Sequence, residues 1–196
     1  GISTVQEGML PTQLVPIYQK LMVDRLLDLD VVGYADYQAC DTVFAAFPHA
    51  HGQYDRHFKL GGLKIFLDGS PQGRTAWMRE PYLGGDGKYS GYPTMSDRQV
   101  LDAVLYAAGH RLQLLAHCNG DAAAAQYLSA LQTAADSGHP LADMRPVMVH
   151  AQLLGRDQLQ LVKNLGVIPS FFVAHVYHWG DIHLENFGPE RANHIS

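Results

Sequence analysis

The stretch Arg145-Pro146-Val147-Met148-Val149-His150-Ala151-Gln152 decides the fold. From Pro146 to Val149 it is a short apolar run with β-branched residues, which suits a fully buried strand. Periodicity alone does not separate such a run from a turn of buried helix. The run ends in a histidine, then a glutamine. Barrel enzymes build their sites this way, because active groups stand at the carboxyl ends of parallel strands. A lone histidine at a strand end is just as well a core residue bonded to a neighbour. The rest of the chain decides between the two.

At 196 residues the chain suits one domain with a substantial core. A net charge of −5, with no basic patch and no charged tail, argues against nucleic acid as a partner. No apolar run is long enough to cross a membrane, and the start is not a signal peptide. Cys40 and Cys118 form no CxxC and are too few for a disulfide framework, so a reducing, cytoplasmic setting is expected. Histidine is the unusual entry in the composition, at 11 residues, several of them at or just after apolar runs.

Upstream, Ile2–Val5 reads as a strand that Gln6, Glu7 and Gly8 leave. Thr12–Leu29 has the spacing of an amphipathic helix. Val31–Tyr37 reads as a second strand, and Thr42–Phe47 as a short helix stopped by Pro48. Gly62–Ser70 is a third strand, with Lys64 inside its apolar run and an Asp68-Gly69-Ser70 exit. The Gly-, Pro- and Tyr-rich segment from Pro71 to Thr94 is a long loop of the kind that carries function. Ser96 and Gln99 form a capping box for a helix to about Ala108. Arg111–Ala116 is a fourth strand, followed by His117-Cys118-Asn119-Gly120-Asp121. An alanine-rich helix spans Asp121–Ser137. Downstream of the opening stretch come a short helix (Asp157–Leu165), a sixth strand (Val167–Val173) ending near His175, an aromatic and histidine-rich loop to Phe187, and a helix starting at Pro189.

Strand and helix alternate throughout, which predicts a parallel α/β sheet with right-handed crossovers. No GxGxxG turn supports a dinucleotide-binding sheet. Six units fit strands two to seven of a TIM-type (β/α)8 barrel. The chain opens directly on a β-like run and stops inside a helix, so both ends read as cut. Residues 1–196 are expected to be a partial barrel domain of a longer protein.

His117 and His150 then form a pair. Each follows an apolar strand, and consecutive strand ends are neighbours at a barrel rim, where two imidazoles can meet one zinc. Lys64 lies on the strand before them. A buried lysine has a lowered pKa, and its neutral amine can take up carbon dioxide to give a carbamate that bridges two metals. The alternatives are a lysine that snorkels out or pairs with Asp68, and for His117 a helix-entry residue beside Asn119 and Asp121. Lysine, histidine and histidine on three successive strands favour the metal reading.

These residues, with Gly1–Gly8, Leu63–Ala76 (LKIFLDGSPQGRTA), Leu115–Asp121 (LAHCNGD), Val147–Gln152 (VMVHAQ) and Ser170–Ser196, resemble the amidohydrolase superfamily. Within it they resemble the branch of N-substituted formamide deformylases. The resemblance implies a metal-dependent hydrolase barrel holding one or two divalent ions, zinc above all, with Lys64, His117 and His150 at the ligand positions of the fourth, fifth and sixth strands and Lys64 carboxylated. The family's first-strand histidine pair and last-strand aspartate have no counterpart in 1–196. His49-Ala50-His51 has the spacing of that pair but sits in a polar loop after the second strand.

In this reading metal-held water attacks an amide- or formamide-type carbonyl of a small molecule. Asp68 and Arg74 lie over the rim, and His175, Tyr177, His178 and Trp179 line the substrate pocket. A non-catalytic binding or regulatory protein on the same fold is the second reading. A metal-free sugar or phosphate enzyme is a third, opposed by the lack of a glycine-rich phosphate loop and of paired strand-end carboxylates. Open sheet edges also predict association between copies.

Overall fold

The computed structural model describes residues 1–195. Ser196, which closes the stretch Ser170–Ser196, lies outside the described residues. Six strands form one sheet in chain order, each parallel to the next. They are β1 (Thr4–Leu10), β2 (Asp30–Asp36), β3 (Phe58–Phe66), β4 (Gln113–Cys118), β5 (Val147–His150) and β6 (Ile168–Phe171). Between and after them run α1 (Val15–Val23), α2 (Cys40–Ala46), α3 (Asp97–His110), α4 (Asp121–Asp136), α5 (Leu159–Asn164) and α6 (Ala174–Ala192). The sheet curls so far that Gln6 of β1 and Ser170 of β6 border one hollow with Leu115 of β4. The result is an α/β half-barrel, part of the TIM-type fold expected. Among the described residues no helix is long and apolar enough to cross a membrane.

Side-chain alternation sorts each strand to two faces. Leu63, Ile65 and Leu67, then Leu114, Ala116 and Cys118, then Met148 pack into the main core with the helices. Lys64, Phe66, Leu115, His117 and Val149 alternate with them and face the concave side. Across the ladders Lys64 pairs with Leu115, Phe66 with His117, and His117 with Val149.

Lys64 reaches that side through a bulge. Gly33 of β2 pairs with Leu60 but Tyr34 pairs with Gly62, so Gly61 is an extra residue. Phe58 and Leu60 face the helices. Without the extra residue Lys64 would follow them into the apolar core. Gly62 itself has no room for a side chain, since a Cβ would overlap the Gln113 carbonyl.

Several boundaries differ from expectation. β1 runs on through Gln6-Glu7-Gly8, because a sheet-edge strand can leave polar side chains in solvent, and Glu7 accepts from the Tyr18 hydroxyl (2.9 Å). The first helix stops at Val23, well short of Leu29. Arg25 takes the left-handed position (φ 55°) and Leu26 N–H bonds back to Leu21 O, a Schellman-type end without its usual glycine. β3 begins at Phe58, before its bulge, and β4 includes His117. The largest change is at the end. The segment read as an aromatic loop is helical from Ala174, and the break falls at Gly188 (φ 74°), with Pro189 opening the continuing turn.

Candidate metal centre

His150 occupies an unusual backbone. By alternation it should follow Met148 to the helix side. Instead φ is 73° at His150 and 47° at Ala151, two consecutive left-handed residues without glycine. Such backbone costs free energy and tends to be kept at functional sites. Its effect is to end the extended run and swing the imidazole to the rim, where its ring centroid lies 4.7 Å from that of His117. The Nδ1 atom of His150 is buried and has no hydrogen-bond partner.

His117 is held differently. Its Nε2 lies 3.0 Å from the Gly69 carbonyl oxygen. Asn119 Nδ2 also stands 3.1 Å from Nε2; with an amide hydrogen spent on the Gly69 carbonyl, which only accepts, the proton falls to Nε2 of His117 and the lone pair to Nδ1. Asn119 Nδ2 donates to the same carbonyl (2.8 Å). Behind them Asp68, only 2% exposed, accepts from the backbone N–H groups of Asn119 (3.0 Å), Gly120 (2.7 Å) and Trp77 (3.0 Å). Burial pushes its carboxyl up to about 7, and the three amides pull the other way.

Lys64 is 5% exposed. Its Nζ lies 4.6 Å from the centre of the Phe66 ring, and that ring stacks on His117 at 4.6 Å. Burial lowers the Lys64 ammonium to about 8. Burial likewise lowers both His117 and His150 to about 4. The Lys64 charge adds to this at both, and each also feels a neighbouring imidazole. All three groups are therefore biased toward the neutral forms that ligate metal or take up carbon dioxide. The structure brings Lys64, His117 and His150 to the same end of the concave face.

The other predicted residues sort themselves by position. His175, on the first turn of α6, is buried, and its ring lies parallel to that of His150 at 5.7 Å. Tyr177 is 87% exposed, and Trp179 stands exposed one turn beyond His175. Asp68, expected among the substrate-binding residues, is turned inward onto the backbone amides of Trp77, Asn119 and Gly120. Arg74 does not pair with it: Nε donates to Asn186 Oδ1 (2.9 Å), and the guanidinium also reaches the Leu83 carbonyl and lies over Tyr82. His49 and His51 lie elsewhere. His51 is exposed and bridges to Leu60, four residues before Lys64 on β3, ~13 Å along the strand.

Phe66, Asn119 and Gln152 also shape the site. Their only signals in the sequence were adjacency to Lys64, His117 and His150. The concave hollow, about 370 Å³, is lined by residues such as Tyr34, Gln113, Leu115, Val149 and Ser170, and Lys64, His117 and His150 are not among its lining residues. A larger hollow, about 500 Å³, lies between α3 and α4 on the outer layer, and neither histidine nor Lys64 lines it. Size does not mark the site here; converging chemistry does.

Two imidazoles with an orphaned Nδ1 and an assigned Nδ1 lone pair suit a divalent metal. The donor set within this chain is small. Among the described residues no group of three or more His, Cys, Asp and Glu side chains is placed to hold a metal ion.

Comparison with known proteins agrees with this architecture. YtcJ of Bacillus subtilis (strain 168), which carries an amidohydrolase name, is 27% identical over 127 residues, 63% of this chain and 23% of its own length. The structure of an uncharacterized metal-dependent hydrolase from Pyrococcus furiosus superposes with a TM-score of 0.84 at 24% identity, covering 100% of this chain and 39% of that one. Its counterpart from Pyrococcus horikoshii OT3 gives 0.79 at 25% identity, covering 98% and 37%. This chain thus spans about a quarter of the curated relative and under two fifths of either solved hydrolase. The family model described as the amidohydrolase family matches residues 5–196, nearly every residue of the half-barrel, and the chain belongs to that family.

Proposed function

We propose that this chain forms the central part of a metal-dependent hydrolase that cleaves an amide- or formamide-type C–N bond in a small molecule. The observation that carries the reading is the His117–His150 pair, 4.7 Å apart, with the buried Nδ1 of His150 left without a partner. A buried unsatisfied nitrogen costs about 1–3 kcal/mol, and a bound cation removes that cost. Lys64, His117 and His150 would hold a divalent ion, zinc above all. Such an ion, when bound, supplies a water of lowered pKa and polarises a carbonyl.

The chain's own residues prepare this. The Gly69 carbonyl fixes the His117 proton on Nε2 and turns the Nδ1 lone pair to the task of ligation. The left-handed backbone at His150 aims its ring at the rim. Phe66 covers Lys64 and excludes water from it. The neutral Lys64 amine can add carbon dioxide, forming a carbamate N–C bond and releasing one proton to solvent. His175 and Trp179, a helical turn apart on α6, would face the organic part of the substrate.

The second reading, a binding protein without catalysis, draws on the small donor set of the described residues. One experiment separates the two. Metal content and amide or formamide hydrolysis are measured on the complete gene product and on its His117→Ala and His150→Ala variants. The hydrolase reading expects metal in the wild type, loss of metal and of rate in both variants, and loss of rate on chelation. Intact mass should show one added carbon dioxide that is absent in Lys64→Ala. Full turnover in a metal-stripped His150→Ala protein would overturn it.

A further inference from the structure

Behind the metal centre lies a second set of imidazoles that the ligand scheme does not use. His175 is 7% exposed, and its Nδ1 meets the side-chain oxygen of Gln152. Gln152 is buried beneath it, and the amide nitrogen of Gln152 lies 3.5 Å from Nε2 of His183, which is buried on α6. Phe172 packs its ring edge-on to His175 at 4.4 Å.

The chemistry of the row sets the protons. An amide oxygen only accepts, so Nδ1 of His175 must carry the hydrogen. An amide NH2 only donates, so Nε2 of His183 must hold a lone pair and its Nδ1 the hydrogen. Among the described residues neither the His175 ring nor the His183 ring pairs with a carboxylate. A neutral His175 with its hydrogen on Nδ1 has its lone pair on Nε2. It also lies parallel to His150 at 5.7 Å, at the edge of the candidate metal centre.

We propose that Gln152 is a positioning residue that fixes His175 in the Nδ1–H tautomer, and that His175 Nε2 accepts a hydrogen bond from an N–H of the substrate. The proposal rests on the hydrolase reading and names its substrate class: amides that keep an N–H at the scissile nitrogen, rather than N,N-disubstituted ones. A site built to pair with a donor rejects the analogue that lacks it, because its own acceptor is then left unsatisfied. His183 holds the far side of the Gln152 amide, so the amide cannot rotate to present its NH2 to His175.

The first arm of the test does not need turnover. Nitrogen-15 NMR of histidine side chains in this chain should show His175 as the Nδ1–H tautomer. Gln152→Leu should redistribute the proton toward Nε2, and Gln152→Glu, which keeps an acceptor at the same point, should restore it. A wild-type His175 protonated on Nε2, or a tautomer that Gln152→Leu does not move, overturns the positioning claim. The second arm uses the complete gene product. kcat/KM is compared for a secondary amide and its N-methyl analogue. The preference for the N–H substrate should fall about tenfold in His175→Leu, the size of one hydrogen bond. An unchanged preference in a variant that still hydrolyses both overturns the substrate claim. Failure of any wild-type hydrolysis would instead remove the hydrolase reading and the substrate class with it, and the tautomer result would still decide the role of Gln152.

Discussion

At the scale of single residues, two positions carry more than their chemistry suggests. Gly62 follows the extra residue of the β3 bulge, where a Cβ would overlap the Gln113 carbonyl of β4. Gly62→Ala is expected to cost about 1–3 kcal/mol through forced backbone shifts and to tilt Lys64 away from the concave face. Urea unfolding gives the first quantity, and loss of carbon dioxide uptake at Lys64 by intact mass reports the second. Asp68 is the other. Replacement by alanine strands three buried N–H groups, each worth about 1–3 kcal/mol, and loosens Gly69, the acceptor for His117. Asp68→Ala is therefore expected to fail to fold or to lose at least about 3 kcal/mol. In Asp68→Asn, which retains an acceptor, the side-chain NMR of His117 should show mixed tautomers. A His117 ring unchanged in Asp68→Asn would mean that the staple does not act on it.

At the scale of elements, what could be read in the sequence was periodicity, and what could not was phase. The apolar runs ending at His117 and His150 marked two strands of the rim, and the alternation of strand and helix gave the parallel sheet. The capping box at Ser96 and Gln99 is present as read. The bulge is written in Gly61-Gly62, but a glycine pair also reads as a turn, which hides the part of β3 that precedes it, from Phe58. The left-handed turn at His150 and Ala151 is all but unmarked in the sequence, because alanine disfavours that backbone and histidine, although more tolerant of it than most residues, adopts it uncommonly. The exit Asp68-Gly69-Ser70 looked like a rim group, yet the turn folds the carboxylate back under β4. Residues 174–187 lack an apolar stripe with helical spacing, so the sequence alone does not mark them as helix.

That same helix supports a prediction of its own. Asn186 of α6 is buried, accepts from Arg74 Nε (2.9 Å) and donates to the Pro71 carbonyl (3.0 Å), while its backbone oxygen accepts from Leu83 N–H (2.8 Å). Tyr82 and Phe187 pack beside it in a small second core with Ala76 and Met78. The loop from 70 to 94 is therefore tied to α6 rather than free. Asn186→Ala should cost about 2–4 kcal/mol, from one bond to a charged group and one neutral bond. Amide exchange should rise within 70–94 while the tautomer of His117 stays as it was. Exchange that rises equally across α3 and α4 would show that the loop does not open as a separate unit.

At the scale of the whole molecule, the half-barrel has two consequences that can be measured together. Its sheet ends on β1 and β6, each paired on one side only. Ile2, Val5, Ile168, Phe171 and Phe172 are exposed along those margins. Unpaired backbone beside exposed apolar side chains favours strand addition from another copy. Purified residues 1–196 are expected to self-associate, with a sedimentation profile that shifts with concentration. Lysine placed at Val5 and Ile168 should shift it back toward the monomer. Association does not supply catalysis. In the proposed scheme the described residues offer only His117, His150 and Lys64 as donors, the last only after carboxylation, whereas a catalytic zinc usually takes three protein ligands and a water. Zinc added to residues 1–196 should therefore bind weakly at His117 and His150, and hydrolysis should fall at least about a hundredfold below that of the complete gene product, about 2.7 kcal/mol in transition-state stabilisation. The comparison is direct: both proteins, the same zinc concentration, the same secondary amide. If 1–196 matches the complete protein, then the groups on β3, β4, β5 and α6 suffice for the chemistry, and the ligand scheme built on Lys64, His117 and His150 needs a further donor from within these residues.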